Sequence, residues 1–344
     1  MLALRKVNAE KGGLSVDQVD VPDPGPGEVR IKVAASGICG TDLHIYNWLP
    51  AYRHIKLPIV MGHEIAGTID ATGPSVANVK VGDRVSVESH IPCNVCTTCL
   101  SGNAHVCGHT RYPGIHINGG FASHVVLPAQ IAIPIGTSLS FETAAMMEPF
   151  GIAVHAAQSG SGVSGMDVLI AGCGPIGLMS ILAARALGAN RIVATDVNAY
   201  RLGHAKACGA DRTVDVSAED VACITKDLTG GRGFDVVIEN SGAQESLRAA
   251  GGLVSRGGEI RLVGVPSGEV ALDLKAWLNK GITVFGLHGR RLHATWVTAF
   301  RLVEQGGVQL KPLVSHTLGI KEGTRGFEEA AAGRAIKVLF MHDA

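Results

Sequence analysis

Four cysteines, Cys93, Cys96, Cys99 and Cys107, follow the spacing C-x2-C-x2-C-x7-C. Four thiolates so close in sequence can share one metal ion. They would satisfy the tetrahedral preference of zinc and leave no coordination position open, which marks a structural site. An iron–sulfur cluster or a pair of disulfides would use the same residues. The first residues, MLALRKVNAEKGGLSV, lack the apolar run of a secretory signal. A reducing, cytoplasmic setting is therefore expected, and there a cysteine cluster binds metal more often than it forms disulfides.

Three further segments carry metal-binding residue types. They are Gly37-Ile38-Cys39-Gly40-Thr41-Asp42-Leu43-His44, Gly62-His63-Glu64 and Met147-Glu148-Pro149-Phe150-Gly151. A catalytic zinc takes about three protein ligands and keeps one position for water or substrate. One thiolate, one imidazole and one carboxylate, from Cys39, His63 and Glu148, would meet that need. Each also has a plainer explanation on its own. Cys39 reads as a buried thiol, His63 as a hydrogen-bonded core histidine, and Glu148 as the cap of a helix starting near Pro149.

A third constellation is Gly172-Cys173-Gly174-Pro175-Ile176-Gly177, between the apolar run Asp167–Ala171 and a helical stretch. In G-x-G-x-x-G the first glycine allows a tight turn and the second lets the backbone approach a pyrophosphate. The third allows close packing of helix on strand. The pyrophosphate would sit at the helix N-terminus, where free N–H groups and the dipole favour negative charge. Asp196 closes the next strand, where a carboxylate accepts hydrogen bonds from the adenosine ribose and repels the extra phosphate of NADP. Arg201 could bond the same ribose or counter a phosphate. With Asp196 present, NAD is the expected cofactor.

The elements around these residues divide the chain of 344. Residues 1–150 hold short β-like runs broken by Gly and Pro, at Val29–Val33, Glu64–Thr68, Arg84–Val87 and Ala122–Val126. They read as an irregular β barrel. From Asp167 onward strands alternate with helices. Strands are expected at Asp167–Ala171, Arg191–Thr195, Phe234–Glu239 and Glu259–Val263, with helices at Pro175–Leu187 and Asn198–Ala207. That alternation predicts a doubly wound parallel sheet over residues 151–289. Residues 290–344 carry helices at Thr295–Gln305 and Thr324–Ala332 and a strand at Lys337–Phe340.

Composition narrows the partners. Thirty basic and thirty acidic residues cancel, so no global field exists to capture nucleic acid or anionic lipid. No stretch approaches the ~20 apolar residues of a membrane span. A small-molecule substrate is expected, with no nucleic-acid or membrane partner.

Taken together and in order, these segments resemble the zinc-containing medium-chain dehydrogenase/reductase family. The ordered elements are Gly37–His44, Gly62-His63-Glu64, Val81-Gly82-Asp83-Arg84-Val85, the four cysteines, Gly119-Gly120-Phe121-Ala122 and the nucleotide fingerprint. The resemblance implies a GroES-like catalytic domain, completed by residues 290–344, and a Rossmann domain that binds NAD. It implies a zinc- and NAD-dependent alcohol dehydrogenase with one catalytic and one structural zinc. It places catalytic zinc on Cys39, His63 and Glu148, with Glu64 close to the metal. Thr41 and His44 match a proton-relay pair, and His90 a substrate-side residue. Arg201 and Arg290 match cofactor contacts. A homo-oligomer, tetramer or dimer, is implied too. The sequence fits best a branch acting on an amino-acid secondary alcohol, with polyol and vicinal-diol branches close behind. Two stretches depart from that branch, Leu49-Pro50-Ala51 and Ser123-His124.

Overall fold

The computed structural model describes residues 1–342. The chain forms two compact units: Met1–Glu148 together with the chain from Leu310, and Pro149–Gln309.

The first unit is built on a seven-stranded sheet. In spatial order its strands are Val314–Gly319, Lys337–Met341, Glu28–Gly37, Glu64–Thr72, Arg84–Val87 and Ala132–Pro134, and His124–Pro128 pairs with Glu28–Gly37. Burial along Glu28–Gly37 alternates at first and is continuous at the end, as expected for a strand running into the core. Val29, Ile31, Val33, Ile65, Ile69 and Val85 form one apolar cluster beside it. A second cluster joins Ile45, Ile59, Phe121, Phe327 and Phe340. The C-terminal strand Lys337–Met341 pairs antiparallel with Ala35–Gly37, directly before Cys39. It therefore brings late residues to the first metal-binding segment.

The second unit holds a six-stranded parallel sheet. Its spatial order is Arg212–Asp215, Arg191–Asp196, Asp167–Ala171, Phe234–Glu239, Val254–Leu262, Thr283–Gly286. Numbered along the chain this is 3-2-1-4-5-6, the dinucleotide-binding topology, with its crevice at the carboxyl end of the first strand. The strand Asp167–Ala171 is buried throughout, as a central parallel strand must be.

Two expectations change. The helix does not begin near Pro149; it runs unbroken through Phe141–Gln158 with that proline inside it. Pro149 has no N–H to give the Ala145 carbonyl, so one helical bond is missing there, and Glu148 is a mid-helix residue rather than a cap. The return to the first unit falls at Leu310 rather than at 290. The helix Ala294–Glu304 belongs to the second unit because Trp296 faces Arg290, whose stem fills the space a Cβ would take at Gly151.

Candidate active site

Cys39 precedes the helix Gly40–Tyr46, and its backbone N–H donates to Asp42 Oδ2 at 2.9 Å. The turn that starts the helix therefore also fixes the thiol. Thr41 and His44 lie three residues apart on this helix and share a face. Burial pushes the His44 pKa down, which leaves a neutral imidazole at pH 7.

His63 is carried by a turn in which Gly62 has φ 91°, with the Phe121 ring occupying the space of a Cβ. Only glycine meets both conditions. Asp42, wholly buried, approaches His63 Nδ1 at 3.9 Å, and that nitrogen has no hydrogen-bond partner. Burial alone would lower the His63 pKa. The neighbouring Cys39, Asp42 and Glu148 outweigh it and raise the value to about 10. Surroundings that favour a proton so strongly favour a cation in the same place. One thiol, one imidazole and one carboxyl with an anionic neighbour therefore fit a zinc ion.

Glu148 is buried on its helix and accepts a hydrogen bond from Ser89 Oγ at 2.6 Å. Its other neighbour, Glu64, is fully buried at the start of the strand Glu64–Thr72. Lys337 Nζ donates to Glu64 Oε1 at 2.6 Å and to the Ile38 carbonyl at 2.9 Å, and it also contacts Glu64 Oε2. Glu64 is thus tied to a lysine. Burial raises its pKa first of all, the Lys337 ammonium opposes that, and Glu148 adds to it. His90 is buried and anchored by Glu88, which accepts from its backbone N–H at 2.8 Å and lies 2.7 Å from its Nδ1. Its ring meets the edge of Tyr112 at 5.0 Å. The His124 of the second departing stretch faces Asp70 at 3.4 Å.

The four cysteines come together as one group. All their sulfurs lie within 4.8 Å of one another. Individual separations are 3.5 Å for Cys96–Cys99 and Cys93–Cys107, 3.8 Å for Cys96–Cys107 and 3.9 Å for Cys93–Cys99. A disulfide would need ~2.05 Å, whereas a tetrahedron of Zn–S bonds of ~2.3 Å has edges of ~3.8 Å. The cysteines are free and have the spacing of metal ligands. Backbone hydrogen bonds from Cys93 and His109 draw the Cys107 thiol down to about 6, so it carries charge at neutral pH.

The nucleotide loop gives each glycine its reason. Gly172 has φ 88°. A Cβ on Gly174 would meet nothing within 4 Å, so its backbone is open to an incoming phosphate. A Cβ on Gly177 would overlap the Gly172 carbonyl, so the helix comes this close to the loop because the residue there is glycine. Pro175 and Ile176 open the helix Pro175–Ala186. Asp196 Oδ2 accepts from the Cys173 N–H at 2.7 Å, and Oδ1 from Val197 and Asn198. The carboxylate is thereby pinned at the lip of the loop. Arg201 Nη1 lies 3.9 Å from it, with Nε buried and without a partner. These residues fit a dinucleotide. Arg290 is fully buried, its guanidinium 5.9 Å from the Trp296 ring.

Sequence reasoning gave no role to Asp42, Ser89, Glu88, Tyr112 or Lys337. Asp42 stood inside a quoted motif. The others carry no signal until the fold brings them to the site.

Comparison with known proteins shows the family. Residues 25–137 match the alcohol dehydrogenase GroES-like domain and residues 175–305 the zinc-binding dehydrogenase domain. The L-threonine 3-dehydrogenase of Shewanella baltica is 40% identical over 346 residues, covering 100% of both chains. Galactitol-1-phosphate dehydrogenase from Escherichia coli superposes with TM-score 0.92 at 29% identity, covering 99% of this chain and 100% of that one. An Escherichia coli short chain alcohol dehydrogenase complexed with NADH gives TM-score 0.91 at 28% identity, with 99% of each chain covered. The chain belongs to the zinc-containing medium-chain dehydrogenase/reductase family. It is an oxidoreductase. No helix among the described residues is long and apolar enough to cross a membrane.

Proposed function

We propose that this protein oxidises a secondary alcohol by hydride transfer to NAD, with L-threonine as substrate and 2-amino-3-ketobutyrate as product. The observation that carries the reaction class is the match to the zinc-binding dehydrogenase domains, beside a buried His63 whose surroundings, Asp42 at 3.9 Å among them, favour a cation. Support for threonine is the 40% identity, end to end, with the Shewanella baltica enzyme. Cys39, His63 and Glu148 would hold the catalytic zinc, and Cys93, Cys96, Cys99 and Cys107 a structural one.

When bound, zinc supplies Lewis acidity to the alcohol hydroxyl, and NAD takes up the hydride. The chain does the rest. Thr41 accepts the hydroxyl proton while its own proton passes on to the neutral His44. His44, with its lowered pKa, returns that proton to solvent. Lys337 holds the Glu64 carboxylate, and Ser89 orients that of Glu148. His90, fixed by Glu88, faces the substrate. The Gly172–Gly177 loop would take the pyrophosphate, with Asp196 and Arg201 at the adenosine ribose. Arg290, enclosed by protein, we assign to the wall of its unit rather than to a cofactor contact.

The likeness to galactitol-1-phosphate dehydrogenase favours a second reading, the same chemistry on a polyol or vicinal diol. NAD reduction measured with L-threonine against a panel of diols and polyols decides between them. Turnover of a polyol orders of magnitude faster than threonine would end the threonine reading.

A further inference from the structure

The chain between Cys107 and Phe121 touches the site at two places. At its start, Ile91 and Arg111 exchange backbone hydrogen bonds. Ile91 N–H donates to the Arg111 carbonyl at 3.0 Å, and Arg111 N–H to the Ile91 carbonyl at 3.1 Å, as an antiparallel bridge. This bridge closes the base of the cysteine loop. The next pair outward on such a ladder brings its side chains close together. That pair is His90 and Tyr112, and their rings meet in a T-shaped contact at 5.0 Å and 69°. At its end, the same segment runs beside the turn that carries His63. Gly119 N–H donates to the Val60 carbonyl at 2.8 Å and Gly120 N–H to the Gly62 carbonyl at 2.9 Å. Val60 N–H donates to Asn118 Oδ1 at 3.1 Å. A Cβ on Gly114 or on Gly119 would overlap the Gly62 backbone. One segment is thus pinned both to His90 and to the turn of His63.

Between these anchors the chain makes a tight turn. His116 N–H donates to the Tyr112 carbonyl at 2.9 Å, and Gly114 N–H to the Ile117 carbonyl at 2.8 Å. Tyr112 N–H donates to His116 Nδ1 at 3.1 Å, and the two rings stand 5.7 Å apart. The Tyr112 ring therefore has His90 and His116 as neighbours and is half-buried on a braced backbone. A rigid aromatic ring on such a support sets the shape of the space it borders. We propose that Tyr112 is a specificity-determining residue, whose ring fills the space beside His90 and limits the length of the group attached to the carbinol carbon. This rests on the reading that sets His90 against the substrate. The wall cannot swing aside on its own, because the backbone that carries it also packs on Gly62. Shape discrimination of this kind separates substrates that differ by one methylene by ~10- to 200-fold.

The test compares the zinc-loaded wild-type protein with Tyr112→Ala and Tyr112→Phe. The substrates are the panel alcohol that the wild type oxidises best and its homologues one methylene longer at either end. In Tyr112→Ala, kcat/KM for the homologue lengthened at one end should rise ~10-fold or more relative to the parent alcohol. Tyr112→Phe should keep the wild-type ratio, because the ring remains. A second readout needs no turnover. In histidine-labelled protein the His90 ring signals should lose a ring-current shift in Tyr112→Ala and keep it in Tyr112→Phe. An unchanged substrate ratio in Tyr112→Ala overturns the proposal. So does a uniform fall in kcat/KM for every substrate with a loss of thermal stability, because that is packing alone. A ratio that moves as far in Tyr112→Phe as in Tyr112→Ala also overturns it, since the hydroxyl and not the ring would then be responsible. If the wild type oxidises no alcohol of the panel, the functional reading fails and this proposal with it. An active wild type with an unchanged ratio in Tyr112→Ala removes the proposal alone.

Discussion

In the loop from Cys93 to Cys107 four ligand atoms come from one short stretch of chain, whereas Cys39, His63 and Glu148 come from three elements far apart in sequence. The cysteine sulfurs already stand at the edge lengths of a zinc tetrahedron. They need little from the rest of the fold. The second group is surrounded by residues outside it: Asp42 lies 3.9 Å from His63, Ser89 donates to Glu148, and Lys337 ties down the neighbouring Glu64. A closed site can be local because its only task is to be filled. An open site must leave a position for substrate, so its ligands cannot stabilise one another on every side and outside residues must fix them.

The hardest test of that contrast is to strip a ligand from each site. Cys39→Ser should lower kcat at least ~1,000-fold, since several kcal/mol of Lewis-acid stabilisation is lost. Metal analysis should still find the zinc of the cysteine loop. Cys99→Ser should do the reverse, emptying the loop and opening residues 93–107 to proteolysis while His63 keeps its metal. Loss of both metals in either variant would show that the sites are not independent.

Next in size is Lys337→Met, which leaves the Glu64 carboxylate buried without its partner. Breaking a buried ion pair in this way costs about 3–5 kcal/mol. Pairing it with Glu64→Gln in a double-mutant cycle should recover most of that loss in denaturant unfolding. If Lys337→Met is as stable as the wild type, Glu64 has another partner and the outer ring is not what holds this site. A smaller effect is expected for Ser89→Ala. Removing an outer-shell hydrogen bond from a metal ligand typically weakens metal affinity ~10–100-fold, and a competing chelator would measure it. The cysteine loop should retain its affinity in the same titration.

The mildest prediction concerns pH. Burial lowers the His44 pKa below its ordinary 6.5. The unfolded chain therefore takes up this proton at higher pH than the native one. The stability held by neutral His44 is complete above 6.5 and is lost as pH falls from there through the native pKa. Activity should follow the same side, with kcat/KM showing an acid limb below 6.5 that is absent in His44→Phe. A His44-dependent limb centred above 6.5 would contradict the burial seen here.

Much of this was legible in the sequence where chemistry is local. The four cysteines and the glycine loop carry their reasons in their spacing. The strands Asp167–Ala171 and Phe234–Glu239 coincide with their sequence-based bounds, because each is a buried central strand with a clear apolar run. The helix Phe141–Gln158 was not legible, because a proline preceded by a glutamate reads as a helix start. Tertiary packing carries the helix across that missing bond. Lys337 was invisible for a different reason. Its partner Glu64 lies 273 positions away, and a lone lysine in a strand says nothing about which carboxylate it will meet.

That lysine also sets an order of events. During synthesis the cysteine loop leaves the ribosome early and can take its metal at once. The strands Val314–Gly319 and Lys337–Met341, which complete the first sheet beside Glu28–Gly37, are translated only after the entire Pro149–Gln309 unit. Until then Glu64 has a buried place and no cation to share it. The unit that the nascent chain begins first is therefore the one it completes last.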